Sequence, residues 1–123
     1  MKKKREEIKR QGEEVSYRIK DHCLIVKLKS DLDHHVSVQI REQADGIIAR
    51  ENIKNIIFDF SESSFMDSSG IGVIMGRYKQ VKFTGGKLFV TGVTPPIERI
   101  LKISGLYKII EKQATVVDAL RAL

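Results

Sequence analysis

The run Ile56-Ile57-Phe58-Asp59-Phe60 sets the strongest constraint on the fold. It is short, branched and aromatic, and its apolar residues fall on both faces of a strand, so both faces must be covered. Helices provide that cover in a parallel sheet. The flanking segments agree. Before it, Val36, Ile40, Ala44 and Ile47 recur at helical spacing behind the capping side chains of Ser30-Asp31-Leu32-Asp33, which predicts a helix from about Asp33 to Arg50. Earlier still, Val15, Tyr17 and Ile19 alternate with polar residues, and the alternation resumes after Asp21-His22 with Leu24, Val26 and Leu28. That pattern predicts two strands joined by a tight turn.

Beyond the central run, Ile71, Ile74, Met75, Tyr78 and Val81 mark one face of a second helix, ended by Gly85-Gly86. Lys87 to Val93 reads as a strand. Thr94-Pro95-Pro96 opens a third helix, with Ile97, Ile100 and Leu101 facing the core and Gly105 as the stop. Leu106 to Ile110 is expected as a short edge strand, and Thr115-Val116-Val117-Asp118 as the capping box of a last helix ending at Leu123. Strands alternating with helices in this order demand parallel crossovers after the initial hairpin. The predicted class is α/β, with a mixed sheet of four or five strands and about four helices.

At 123 residues the chain is large enough to close one hydrophobic core without metals or disulfides. The single cysteine, Cys23, lies in the apolar run Cys23-Leu24-Ile25-Val26 and reads as a buried thiol, consistent with a reducing compartment. No apolar stretch approaches bilayer-spanning length and no apolar segment follows the N-terminal charges, so a cytoplasmic protein without membrane contact is expected. Of the net charge of +6, residues 1–12 carry +4 from six Lys or Arg against Glu6 and Glu7. The expected organisation is a solvated, partly helical basic extension over 1–12 and a nearly neutral domain over 13–123.

The stretch FMDSSGIGVIMGRYK, Phe65 to Lys79, holds the candidate site. Asp67-Ser68-Ser69-Gly70 stands where the second helix begins and several backbone N–H groups lack intrahelical partners. Capping explains one such side chain, yet three stand in a row. A phosphate on a serine here would sit at the positive end of the helix dipole. Gly72 and Gly76 share the face opposite the apolar stripe, although each interior glycine costs a helix about 1 kcal/mol. Bare backbone there suits either the close approach of another chain or tight packing within the domain. Catalytic signatures are weaker: the spacing of Gly70, Gly72 and Gly76 misses the dinucleotide-binding fingerprint, and no nucleophile elbow or phosphate-binding lysine loop occurs. Asp33-His34-His35 lacks a second cluster to complete a metal shell, so neither metal nor cofactor is expected.

The stretch SSFMDSSGIGVIMGRYKQVKFTGGKLFV, with LKSDLDHHV before it and ISGLYKII after it, closely resembles the bacterial anti-sigma factor antagonists of the STAS domain family. It is most similar to the sporulation branch, whose members act on the anti-sigma-F factor. The resemblance implies that Ser68, directly after the motif aspartate, is phosphorylated by the anti-sigma factor, an ATP-using serine kinase. It implies a partner surface of Asp33, Ser68, Ser69, Gly70, Ile71 and Gly72, and a serine phosphatase that reverses the modification. The chain would then be a substrate and a binding protein, not an enzyme. Two alternatives remain: the same mechanism in a general-stress sigma pathway, or a nucleotide- or nucleic-acid-binding protein using the basic tail.

Overall fold

The computed structural model describes residues 14–123 in full and, before them, the backbone of Glu7–Gln11. The chain runs β1 (Glu7–Gln11), β2 (Val15–Lys20), β3 (Cys23–Leu28), α1 (His34–Arg50), β4 (Asn55–Asp59), α2 (Ser68–Phe83), β5 (Leu88–Thr91) and α3 (Pro95–Ser104). A 3-10 turn (Leu106–Lys108), β6 (Glu111–Gln113) and α4 (Val116–Arg121) complete it. Among the described residues six strands lie side by side in sequence order, β1 to β3 antiparallel and β3 to β6 parallel. This is the α/β arrangement expected, a hairpin followed by parallel crossovers.

The sheet is covered on both faces, as the central run requires. On one, Ile56, Phe58 and Phe60 join Tyr17, Leu24, Val26, Leu28 and Val90 beneath the buried sides of α1, α2 and α3. On the other, Ile57 packs with Cys23, Ile25 and Phe89 under Ala119 of α4. Cys23 is fully buried, and burial pushes its thiol up to about 12, leaving it protonated and inert at neutral pH. The hairpin between β2 and β3 turns on Asp21 and His22, with φ of 51° and 66°, a left-handed pair that matches the twist of the strands. The His22 carbonyl accepts from Lys54 N at 2.7 Å, tying the turn to the start of β4.

Three expectations need correction. The N-terminal segment was expected as a solvated, partly helical extension, but Glu7–Gln11 is a strand paired antiparallel with β2; the rest of 1–12 lies outside the described residues. Its partners are backbone groups, which leave no periodic apolar trace. Leu106–Ile110 is not an edge strand. Gly105, at φ 80°, turns the chain off the end of α3 so that Leu106 and Ile110 drop into the core, and the edge strand comes later, at Glu111–Gln113. The inward face of α2 is also rotated from the predicted stripe. Ile74 and Val81 are buried as expected, but Gly70, Val73 and Arg77 complete that face, while Ile71, Met75 and Tyr78 are only partly covered.

Arg77 is 6% exposed and lies against α1, its Nε 3.3 Å from Asp45 Oδ1. Burial pulls the guanidinium below its usual range, and Asp45 opposes that shift. Gln80 Nε2 donates to the same carboxylate at 3.1 Å, so α1 and α2 are held at a fixed relative position along their length.

Candidate functional site

The loops entering α1 and α2 are stitched together. Leu32 and Met66, both fully buried, form a parallel bridge. Leu32 N donates to the Phe65 carbonyl at 2.9 Å, and Asp67 N donates to the Leu32 carbonyl at 3.2 Å. Asp31 adds a side-chain link, accepting from Ser64 N at 3.3 Å. The residue after each bridging position is an aspartate, and each caps a helix. Asp33 has φ −100° and ψ −172°, Asp67 φ −100° and ψ −174°, so the two caps are near-copies. Asp33 Oδ1 accepts from Val36 N at 3.0 Å and Asp67 Oδ1 from Ser69 N at 2.8 Å. Two helix heads therefore open side by side at the end of the sheet where the parallel strands finish.

At the head of α2 the two serines differ. Ser68 is the first helical residue, exposed, and among the described residues its hydroxyl has no hydrogen-bond partner. Ser69 is partly buried. Its hydroxyl donates to Asp67 Oδ1, and its oxygen lies 3.0 Å from Ser37 Oγ on α1. Asp67 is consequently held below the usual carboxylate range, first by the Ser69 hydroxyl, with help from the Ser69 and Gly70 N–H groups and His34, and against a burial effect.

That shift fixes a pH dependence. A carboxyl whose pKa is lower in the folded than in the unfolded chain contributes stability above its unfolded value, about 3.9, and loses it as pH falls through the folded value. Asp67→Ala is therefore expected to lower stability by about 1 kcal/mol at pH 7. The gap to the unsubstituted protein should narrow on acidification below about pH 4. Urea unfolding of both proteins across that range measures it.

All six residues expected at the partner surface gather at this end, though not equivalently. Asp33 and Ser68 are exposed, Ser69 and Ile71 are partly covered, and Gly72 is exposed. A side chain built at Gly72 or Gly76 would meet nothing within 4 Å, so both glycines leave the outer side of α2 open. Gly70 is buried. A Cβ there would run into the Met66 side chain and come within 3.0 Å of Leu32 Cδ2, so its part is to let the bridge between the loops close. His34 and His35 are exposed, and His35 Nε2 lies 3.7 Å from Glu14 Oε1. Sequence reasoning missed Ser37, whose single trace is its place between Val36 and Ile40 on the packed side of α1. Phe65, at the start of the candidate stretch but given no role there, is 47% exposed and lines a shallow cavity of about 370 Å³ with Pro95, Pro96, Arg99 and Ile100.

This fold and its paired helix heads define a family. The STAS domain family matches residues 14–119, and the chain belongs to it. Within that family the chain is 45% identical over 100 residues to the anti-sigma F factor antagonist of Paenibacillus polymyxa, covering 81% of this chain and 86% of that protein. Two solved structures of SpoIIAA are similar over nearly the whole chain. The anti-sigma factor antagonist SpoIIAA in its unphosphorylated form superposes with a TM-score of 0.73 at 25% identity, covering 97% of this chain and 98% of that one. The Bacillus cell fate determinant SpoIIAA in the phosphorylated form gives 0.66 at 26% identity, covering 96% and 98%. Among the described residues, no helix is long and apolar enough to cross a membrane.

Proposed function

We propose that this chain is an anti-sigma factor antagonist of the sporulation type, switched by phosphorylation on Ser68. The observation that carries the assignment of the acceptor is the inequality of the two motif serines: Ser68 is exposed with an uncommitted hydroxyl, and Ser69 is engaged on both sides. The kinship with an anti-sigma F factor antagonist supports the class of partner, and the phosphorylated SpoIIAA structure supports the modification.

In this reading the unphosphorylated chain binds an anti-sigma factor through Asp33, Ser68, Ser69, Ile71 and Gly72, with Gly70 shaping the surface from beneath, and the sigma factor is released. The partner is also a serine kinase. The Ser68 oxygen attacks the γ-phosphorus of ATP, an O–P bond forms, the bond from that phosphorus to the β,γ-bridging oxygen breaks, ADP leaves, and the hydroxyl proton passes to a base of the kinase. The chain supplies an acceptor and no catalytic group. Its phosphorylated form carries about 1.5 to 2 extra negative charges beside the carboxylates of Asp33 and Asp67. Packed against a partner, that charge is desolvated and repelled, so the complex separates. A serine phosphatase resets the switch. Residues 13–123 carry this function, and the basic segment 1–12 lies outside it.

Calorimetric titration of the protein, before and after phosphorylation, into the ADP-loaded anti-sigma F factor of Paenibacillus polymyxa tests the reading. Binding by the unphosphorylated form alone is expected. Equal binding by both forms removes the switch. Retention on generic DNA that weakens steeply with salt would favour the basic tail as the working part.

A further inference from the structure

We propose that Ser37 is a positioning residue: its buried hydroxyl locks the Ser69 hydroxyl onto Asp67 and so leaves Ser68 as the one serine at the head of α2 able to accept a phosphoryl group. The inference rests on the switch proposed above and adds the device that selects its acceptor.

The direction of the hydrogen bonds follows from counting protons. A serine hydroxyl has one proton to donate, and an ionised carboxylate can only accept. Ser69 Oγ spends its proton on Asp67 Oδ1. The 3.0 Å contact between the two serine oxygens must then carry the Ser37 proton toward Ser69. The chain runs from Ser37 to Ser69 to Asp67, and Ser69 is occupied as donor and acceptor at once. Ser37 itself is 0% exposed, on the packed side of α1 one turn after Asp33, and its backbone N–H donates to the Asp33 carbonyl at 2.8 Å. It is fixed in the helix that the Leu32–Met66 bridge aligns with α2. For its oxygen to reach a phosphorus atom beyond the helix head, the partly buried Ser69 side chain would have to rotate away from Asp67 and Ser37 and leave the Ser37 donor buried without a partner, a costly outcome. Ser68 has no such tie.

Consecutive residues at a helix start point about 100° apart, so kinase docking geometry alone could also favour Ser68. A double substitution separates the two causes. The wild type, Ser68→Ala, Ser37→Ala/Ser68→Ala and Ser37→Cys/Ser68→Ala would each be incubated with the anti-sigma F factor of Paenibacillus polymyxa and ATP, and the phosphate located by mass spectrometry. Thermal melts confirm folding. The cysteine variant fills the space, with a slightly larger side chain, while weakening the donor.

The expected result is no label on Ser68→Ala and label on Ser69 in both double variants, at a rate at least about tenfold above that background. A carbon NMR titration of Asp67 in Ser37→Ala should show its carboxyl moving up toward the ordinary range as Ser69 is freed. Folded double variants that stay unlabelled, or an unmoved Asp67, overturn the role of Ser37. Label only in the alanine double variant overturns it too, because space and not the hydroxyl would then be the cause. An unlabelled wild type overturns the switch itself, and the choice of acceptor falls with it.

Discussion

Ser68→Ala is expected to take up no phosphate from an anti-sigma factor kinase while binding that partner, in the ADP state, within about threefold of the unsubstituted protein, a difference under about 0.7 kcal/mol. The two halves of that expectation come from the same geometry. Ser68 stands at the first position of α2, exposed, and Asp67 already caps the helix through Ser69 N, so removing one hydroxyl takes nothing from the fold. Alanine is at least as good a helix residue as serine. The neighbouring hydroxyl is not expected to stand in, because Ser69 is held by Asp67 and Ser37. Mass spectrometry of the reacted proteins reads the first half and calorimetry the second. Label of equal extent on Ser69 would defeat the assignment of the acceptor. Loss of binding with labelling intact would separate the partner surface from the modified residue.

What the sequence disclosed depended on whether a signal was local. Val36, Ile40, Ala44 and Ile47 all proved buried because α1 rests on the sheet with one side, and a period of 3.6 residues records that directly. Asp33, Asp67 and Thr115, each one of the capping candidates read for its helix, make the side-chain caps, because a cap is made within three residues. The two-sided burial around Ile57 and Phe58 likewise follows from composition alone. The inward face of α2 did not follow, since it is set by α1 as well as by the sheet. Arg77 can point inward only because Asp45, on another helix, meets it. Gly70 was expected at the partner surface, yet it is buried and its space is taken by Met66, held there by a bridge to Leu32 more than thirty residues earlier. Ser37 is the same kind of case. It is a serine among apolar neighbours whose partner is 32 residues away, so the site was legible as a motif but not as a network.

Gly72 tests whether the open side of α2 serves the partner or the fold, and the two possibilities predict opposite signs. It is an exposed helical residue, and a side chain built there meets nothing within 4 Å. Replacing a helical glycine that has such space should stabilise the free protein, by roughly 0.4 to 1 kcal/mol for Gly72→Ala, because the unfolded chain loses conformational freedom. Leucine is nearly as good a helix former as alanine, so Gly72→Leu should also fold with its stability unchanged or raised. The same leucine projects from the exposed side of α2 one turn beyond Ser68, where a partner gripping the helix head must lie against the backbone. Affinity for the ADP-loaded anti-sigma factor should then fall at least about tenfold, or 1.4 kcal/mol. Thermal melts and calorimetric titrations on the same preparations supply both signs. A folded Gly72→Leu that binds normally would move the contact surface off this side of α2, toward the Phe65 cavity. A Gly72→Leu that unfolds would mean that α2 gains a neighbour there, since only contact from outside the helix could make that open position intolerant of a side chain.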